Sequence, residues 1–326
     1  MDLRKEIQID EIQDEILAIT SIIRPVLIGT LYSLKHDIVS KVGGYEKVTL
    51  DLLPRLRREG DGDCGICFEY AVHDAVRGGD QRVQDRLSEA LKLCKVRGSE
   101  LNSILFGIEK SGALQLIDTA NSVLTDDSRV LAGNVGQPAK LKRHIAKIAG
   151  AFRNRRTRLA LPNSIRGLWK ADLFVGTDED RWVGTTVKLN PKQLEGAAGL
   201  RVGIVPVRQG QTDKVRLDED KNLVICPIHH DFDFMQCFYE AWRIVQAFLD
   251  ADAKMPREVD LPVVTHREVC RILVERRKYP VLDVVDAIEK FGQRKLIDHQ
   301  SKTIGKTDLR GSTDTDMVVA PVSLTT

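Results

Sequence analysis

The residues best suited to chemistry in this sequence are an aspartate and a lysine carried by two neighbouring apolar segments. Residues 169–176 and 181–190 each favour a short strand, and the polar turn Thr177-Asp-Glu-Asp180 between them predicts a β-hairpin. Asp172 lies near the start of the first strand and Lys188 near the end of the second. Thr186 shares the face of Lys188, because alternate residues of a strand point the same way. A carboxylate and an ammonium group beside a divalent metal suit hydrolysis of a phosphodiester.

A helix upstream can supply a second carboxylate. The stretch from Cys64 to Val76 has a broad apolar face at helical spacing, and Glu69 would emerge beside that buried surface with His73 one turn later. The plainer interpretation is an ordinary surface glutamate at the rim of a core helix. The sequence leaves both open.

These residues resemble the PD-(D/E)xK, or restriction-endonuclease-like, nuclease superfamily, which has an acid on one strand and an acid-x-Lys tripeptide on the next. Here the acid is Asp172, the tripeptide position is Thr186-Val187-Lys188, and Glu69 stands where the family often adds a helix glutamate. The pattern covers roughly residues 64–230. The resemblance implies a DNA endonuclease, with Mg²⁺ (or Mn²⁺) held by Glu69 and Asp172 and with Lys188 as the catalytic cation.

One position departs from the family pattern. Thr186 stands where the family has Glu or Gln, and a threonine hydroxyl is a poor ligand for Mg²⁺, which prefers carboxylates and water. Either the Val187 carbonyl and Glu69 complete the site, or an acid of the 177–180 turn does, or the resemblance is wrong.

A long basic stretch leads directly to Asp172. Residues 128–171 contain no Asp or Glu, whereas the whole chain has a net charge of only +2. Such segregation of positive charge favours a polyanionic partner, and lysine and arginine on phosphates supply most non-specific DNA affinity. The alternative is a solvated basic helix face. The residues predicted to contact nucleic acid are Lys147, Arg153, Arg155, Arg156, Arg158 and Lys170.

Two other functions compete with a nuclease. Asp61-Gly-Asp-Cys64 is similar to the nucleophile motif of ovarian-tumour-type cysteine proteases, in which the cysteine opens a helix and a late histidine, here His229 or His230, assists it. A non-catalytic nucleic-acid-binding or assembly protein, in which Thr186 marks a degenerate site, is the other. Zinc at Cys64-x-x-Cys67 is disfavoured because no second close Cys/His pair accompanies it.

The order of the segments predicts an α/β protein with a central mixed β-sheet flanked by helices and with N- and C-terminal helical additions. We expect an N-terminal helical region at 1–58, a nuclease-like core at 59–254, a C-terminal helical region at 255–300 and a flexible tail at 301–326. Residues 80–125 look helical, and helices are also predicted at 232–253 and 281–291.

The N-terminal region bears on partners and location. Isoleucines at helical spacing predict a helix over 2–23 that Pro25 ends, followed by a second helix to Val42; this pair could form a dimer, which two-strand cleavage commonly requires. We expect no transmembrane helix and no secretory signal, and therefore a cytoplasmic protein with reduced cysteines.

Overall fold

The computed structural model describes residues 3–106, 120, 122–131, 138–207, 212–229 and 233–289. It is an α/β structure, as predicted, with helices packed on both faces of a mixed sheet. The α-helices of these residues are α1 (Leu3–Ser33), α2 (His36–Val39), α3 (Leu53–Leu56), α4 (Cys64–Gly78), α5 (Gln81–Leu93), α6 (Leu141–Arg153), α7 (Asp233–Asp250), α8 (Val264–Glu275) and α9 (Val281–Glu289).

The sheet has eight strands within the described residues. They are β1 (Leu101–Leu105), β2 (Arg129–Val130), β3 (Ala139–Lys140), β4 (Leu173–Thr177), β5 (Arg181–Val187), β6 (Leu200–Val207), β7 (Arg216–Asp218) and β8 (Leu223–His229). The main path runs β1-β4-β5-β6-β8-β7, and β2 joins β3 to the start of β5. β1, β4 and β5 are antiparallel neighbours, whereas β5, β6 and β8 are parallel.

The alternation of side chains along the strands produces two hydrophobic cores. Val183, Val187 and Ile204 face the first core, which also contains the buried faces of α1, α4, α5, α7, α8 and α9. Trp182 and Val205 face the second core, which contains the buried face of α6. Strands that are covered on both faces read as apolar runs, which explains the composition of 173–187 and 200–207.

The predicted break at Pro25 is wrong, because α1 continues through it to Ser33. A proline inside a helix costs a hydrogen bond, but α1 packs against α4, α7 and α9, and its residues from Ala18 to Ser33 are almost all buried. Packing of an all-round apolar helix outweighs the local cost.

The same helix passes a length and hydropathy test for a membrane span. Residues 14–33 have a mean hydropathy of 1.6, and 72% of that window is buried inside the protein. A buried core helix and an N-terminal signal sequence both pass this test too, so it is weak evidence for a membrane span.

The other helix predictions have mixed outcomes. The helices predicted at 232–253 and 281–291 are confirmed as α7 and α9. Residues 101–105, predicted as part of a helix, form strand β1 instead, since they pair along their whole length with β4. Residues 107–119 and the predicted tail at 301–326 lie outside the described residues. The first core joins residues from Ala18 to Ile288, so the terminal helices and the central segment share one core.

Candidate active site

The β4–β5 hairpin carries Asp172 and Lys188 to the same edge of the sheet. Leu173 pairs with Thr185 at the open end of the hairpin, and the Asp172 amide extends the ladder by donating to the Thr185 carbonyl at 2.8 Å. Asp172 therefore lies immediately before β4, and Lys188 immediately after β5. The prediction that the hairpin brings Asp172 and Lys188 together is confirmed.

Three donors converge on one oxygen of Asp172. Its Oδ2 accepts hydrogen bonds from the Lys188 ammonium at 2.7 Å, the Val187 amide at 2.9 Å and the Thr186 hydroxyl at 3.0 Å. The Asp172 side chain is only 2% exposed, whereas that of Lys188 is 30% exposed. The carboxylate is fixed in orientation by the strand beside it, and the cation above it remains accessible from solvent.

Glu69 approaches the same ammonium from α4. The helix begins at Cys64, with the Asp63 side chain capping it by accepting the Ile66 amide at 2.8 Å. Glu69 lies in the second turn with its side chain 7% exposed, and its Oε1 is 3.6 Å from Lys188 Nζ. It is therefore not a surface glutamate at the rim of a helix. Lys188 lies between two buried carboxylates, one from α4 and one from the residue that precedes β4.

The two carboxylates fit a hydrated hard cation. Mg²⁺ is usually bound by one or two carboxylates, with water and substrate phosphate completing its shell. A trans peptide directs adjacent C=O and N–H groups oppositely, and Lys188 N–H donates to Ile204 in β6, so the Val187 carbonyl is directed toward the Asp172 side. Glu69, Asp172 and that carbonyl could hold Mg²⁺ or Mn²⁺. In the described ranges, no group of three or more His, Cys, Asp or Glu side chains could form a closed cage.

The acids of the hairpin turn do not belong to this site. Asp178 accepts the Ser99 and Glu100 amides at 2.8 and 3.2 Å, which lowers the pKa of its carboxyl group. Asp180 accepts the hydroxyls of Thr125 and Ser128 at 2.8 and 2.7 Å. The turn is at the opposite end of β4, roughly 16 Å away at 3.3 Å per residue. The alternative in which a turn acid completes the metal site is therefore wrong.

His73 is one helical turn from Glu69, but its side chain bonds to β1 and not to the site. Its Nδ1 is 2.9 Å from the Ser103 hydroxyl of β1. Burial, and to a lesser extent the positive charges of Arg77 and Arg24, lower its pKa to about 3. The imidazole is neutral at physiological pH and ties α4 to the sheet.

The groups of the cysteine-peptidase alternative are not arranged as an activated pair. Burial, with a smaller contribution from Asp63, raises the pKa of the Cys64 thiol to about 12, whereas a catalytic thiol needs a lowered pKa. His229 Nε2 bonds to Asp213, which also pairs with Arg86 at 3.1 Å. His230 lies outside the described residues. All six cysteines of the chain are free thiols.

The predicted nucleic-acid contacts fall into two groups. Lys147, Arg153, Arg155 and Arg156 are exposed on α6 and the 3-10 turns that follow it. Arg158 instead packs its guanidinium over the Trp169 ring at 3.6 Å from the centroid and donates to the Ala151 carbonyl at 3.0 Å. Its role is at least partly structural.

Lys170 is two residues before Asp172. It is partly buried, and its ammonium forms an ion pair with Glu195 at 3.4 Å. Lys170 therefore connects the basic stretch to the site, but its charge is already partly neutralised by Glu195.

The sequence missed one contributor to the site. The Val187 amide holds Asp172 as closely as a side chain does, but a backbone donor leaves no signal in residue type. Only its position at the end of β5, one residue after Thr186, could have indicated it.

Comparison with known proteins gives no further assignment. The chain matches no family model, no curated protein and no solved structure at a significant level.

Proposed function

We propose that this protein is a metal-dependent nuclease that hydrolyses phosphodiester bonds of DNA, built on a restriction-endonuclease-like core. The observation that carries the proposal is the position of Lys188, whose ammonium lies 2.7 Å from the Asp172 carboxylate and 3.6 Å from that of Glu69. An acid before one strand, a lysine after the next and a glutamate from an upstream helix support the proposal, although Thr186 departs from the family pattern.

Each residue has a distinct task in this proposal. Glu69 and Asp172 would hold a Mg²⁺ ion, which when bound polarises a phosphoryl oxygen and acidifies a coordinated water. Lys188 stabilises negative charge developing on the phosphate and orients the attacking water. Thr186 and the Val187 amide do not touch substrate; they fix the orientation of the Asp172 carboxylate.

The basic surface supports delivery of a nucleic-acid backbone. α6 packs on the 3-10 turn at Leu168–Lys170, so the exposed cations of α6 and the site residue Asp172 are joined through one packed unit. Contacts to phosphates position a strand without reading its bases, so this surface supports cleavage without indicating a sequence preference.

The test is a matched pair of aspartate variants at the two ends of the hairpin. We expect Asp172→Asn to lower Mg²⁺- or Mn²⁺-dependent cleavage of DNA by at least about a hundredfold, whereas Asp178→Asn leaves it unchanged. Asn keeps the size of the side chain, which matters because Asp172→Ala would strand the Val187 amide and cost stability. Wild-type cleavage by the Asp172→Asn variant would contradict the proposed nuclease function.

A non-catalytic nucleic-acid-binding protein is the second candidate, and Thr186 is the observation that favours it. The hydroxyl takes the position of a family acid and leaves two carboxylates at the site. Tight, salt-sensitive DNA binding by the wild type without cleavage in either metal ion would select that candidate.

A further inference from the structure

A groove of about 600 Å³ opens on the sheet next to the candidate active site. It crosses β6, β8 and β7, and its floor is apolar, with Val205 and Val207 from β6 and Ile225 and Pro227 from β8. Its volume is in the range of sites that bind small organic groups. We call it the β6–β7 groove.

The first groove residue on β6, Val205, lies next to the residue that bonds to the Lys188 backbone. The Lys188 amide donates to the Ile204 carbonyl at 2.9 Å, and Val205 follows Ile204 along β6. β5, β6 and β8 are parallel, so Lys188, just after β5, lies at the same edge of the sheet as the groove residues Val207 and Pro227 near the ends of β6 and β8. A strand bound at Lys188 can therefore continue into the groove along this edge.

The rim of the groove is basic. Lys192, Arg216 and Lys221 line it with a single acid, Asp218, whose carboxylate engages Lys221 at 3.4 Å. Lys192 and Arg216 are both exposed. An apolar floor with a cationic rim matches the chemistry of an unstacked nucleotide, whose base is planar and apolar on its faces and whose phosphate is anionic.

The dimensions separate single strands from duplexes. Three neighbouring strands at about 4.8 Å spacing give a floor roughly 10 Å across. A B-form duplex is wider than its own major groove, which measures about 12 Å, so a whole duplex is too wide to enter.

We propose that the β6–β7 groove binds unpaired nucleotides adjoining the phosphodiester held at Glu69, Asp172 and Lys188, with Lys192 and Arg216 on their phosphates. The proposal rests on the proposed nuclease function and adds its substrate class, which is DNA with an unpaired segment beside the cleaved bond.

The experiment compares a fully paired DNA with the same DNA carrying a short unpaired tract. Binding is measured by fluorescence anisotropy in EDTA over a salt series, and cleavage is then measured in Mn²⁺. The variant is Lys192→Ala/Arg216→Ala, and the matched control is Lys92→Ala/Arg97→Ala, which removes two exposed cations elsewhere on the surface.

We expect the wild type to bind and cut the tract-containing DNA in preference to the duplex. The groove variant should lose that preference, and the slope of log Kd against log salt on the tract-containing DNA should fall by about 1.4, or about 0.7 for each lost phosphate contact. The control should behave as the wild type.

The outcomes distinguish this proposal from the one on which it rests. A wild type that cuts both DNAs equally, or a groove variant that weakens both equally, overturns the groove as an unpaired-strand site and leaves the nuclease intact. A wild type that cuts neither DNA removes the nuclease and the groove proposal together.

Discussion

The two ends of the β4–β5 hairpin hold aspartates in different surroundings. At the turn, Asp178 and Asp180 are satisfied by backbone amides and hydroxyls, and they close loops. At the open end, Asp172 is buried, and the donor nearest to its oxygen is an ammonium that a second carboxylate also approaches. Residue type is the same at both ends, but only the open end combines a buried carboxylate with a cationic partner.

The strongest test of that difference is removal of the ammonium. We expect Lys188→Met to lower cleavage by roughly 10²- to 10³-fold, because no cation then offsets the charge on the phosphate. Binding of Mn²⁺ should persist or tighten in this variant, since the ammonium competes with a metal ion for Glu69 and Asp172. Cleavage and Mn²⁺ titration by calorimetry measure the two effects.

A matched control is Lys92→Met, on the exposed face of α5. If Lys188→Met cleaves like this control, the ammonium is a structural ion pair and the open end of the hairpin is no more reactive than the turn.

The next effect concerns the carboxylate that comes from the helix. Glu69→Gln keeps the volume of a side chain that is 7% exposed but removes its charge. We expect Mn²⁺ affinity to fall at least roughly tenfold, with a parallel loss of cleavage at limiting metal concentration. Partial recovery of cleavage at high Mn²⁺ would show that Glu69 acts through the metal. A variant with wild-type affinity for Mn²⁺ would reduce Glu69 to a partner of Lys188.

The basic surface should affect affinity and leave the chemical step unchanged. Arg155→Ala/Arg156→Ala removes two exposed charges beyond α6, and we expect duplex DNA to bind roughly tenfold more weakly, with a salt slope lower by about 1.8. The cleavage rate at saturating DNA should be unchanged, because neither residue touches the site.

Lys92→Ala/Arg97→Ala is the control for this pair as well, and it lies near the turn end of the hairpin, where Thr177 bonds to the Arg97 carbonyl. Equal loss of affinity in both double variants would mean that DNA is held by net charge and that the 128–171 stretch is an ordinary solvated surface.

The hairpin was predictable from sequence because its signals are local. Two short apolar segments with a polar turn between them indicated the strands, and two-residue spacing placed Thr186 and Lys188 on one face. The approach of Glu69 was suggested by resemblance alone, since no local pattern relates a helix to a strand more than a hundred residues later. The helix end at Pro25 and the helix at 101–105 were both predicted wrongly because tertiary contacts override local preference. Packing of α1 carries the helix through Pro25, and pairing with β4 makes residues 101–105 a strand.

The smallest effect is the most informative about the departure from the family pattern. Thr186→Val removes one of the three donors to Asp172 Oδ2 while keeping the shape of the side chain. A hydrogen bond to a buried charged group contributes about 1–3 kcal/mol, so we expect a lower melting temperature and a severalfold loss of cleavage without a change in DNA affinity. Thr186→Ser restores the hydroxyl and should restore both. If Thr186→Val matches the wild type in stability and cleavage, the hydroxyl does not orient Asp172, and the Val187 amide and Lys188 alone hold the carboxylate in place.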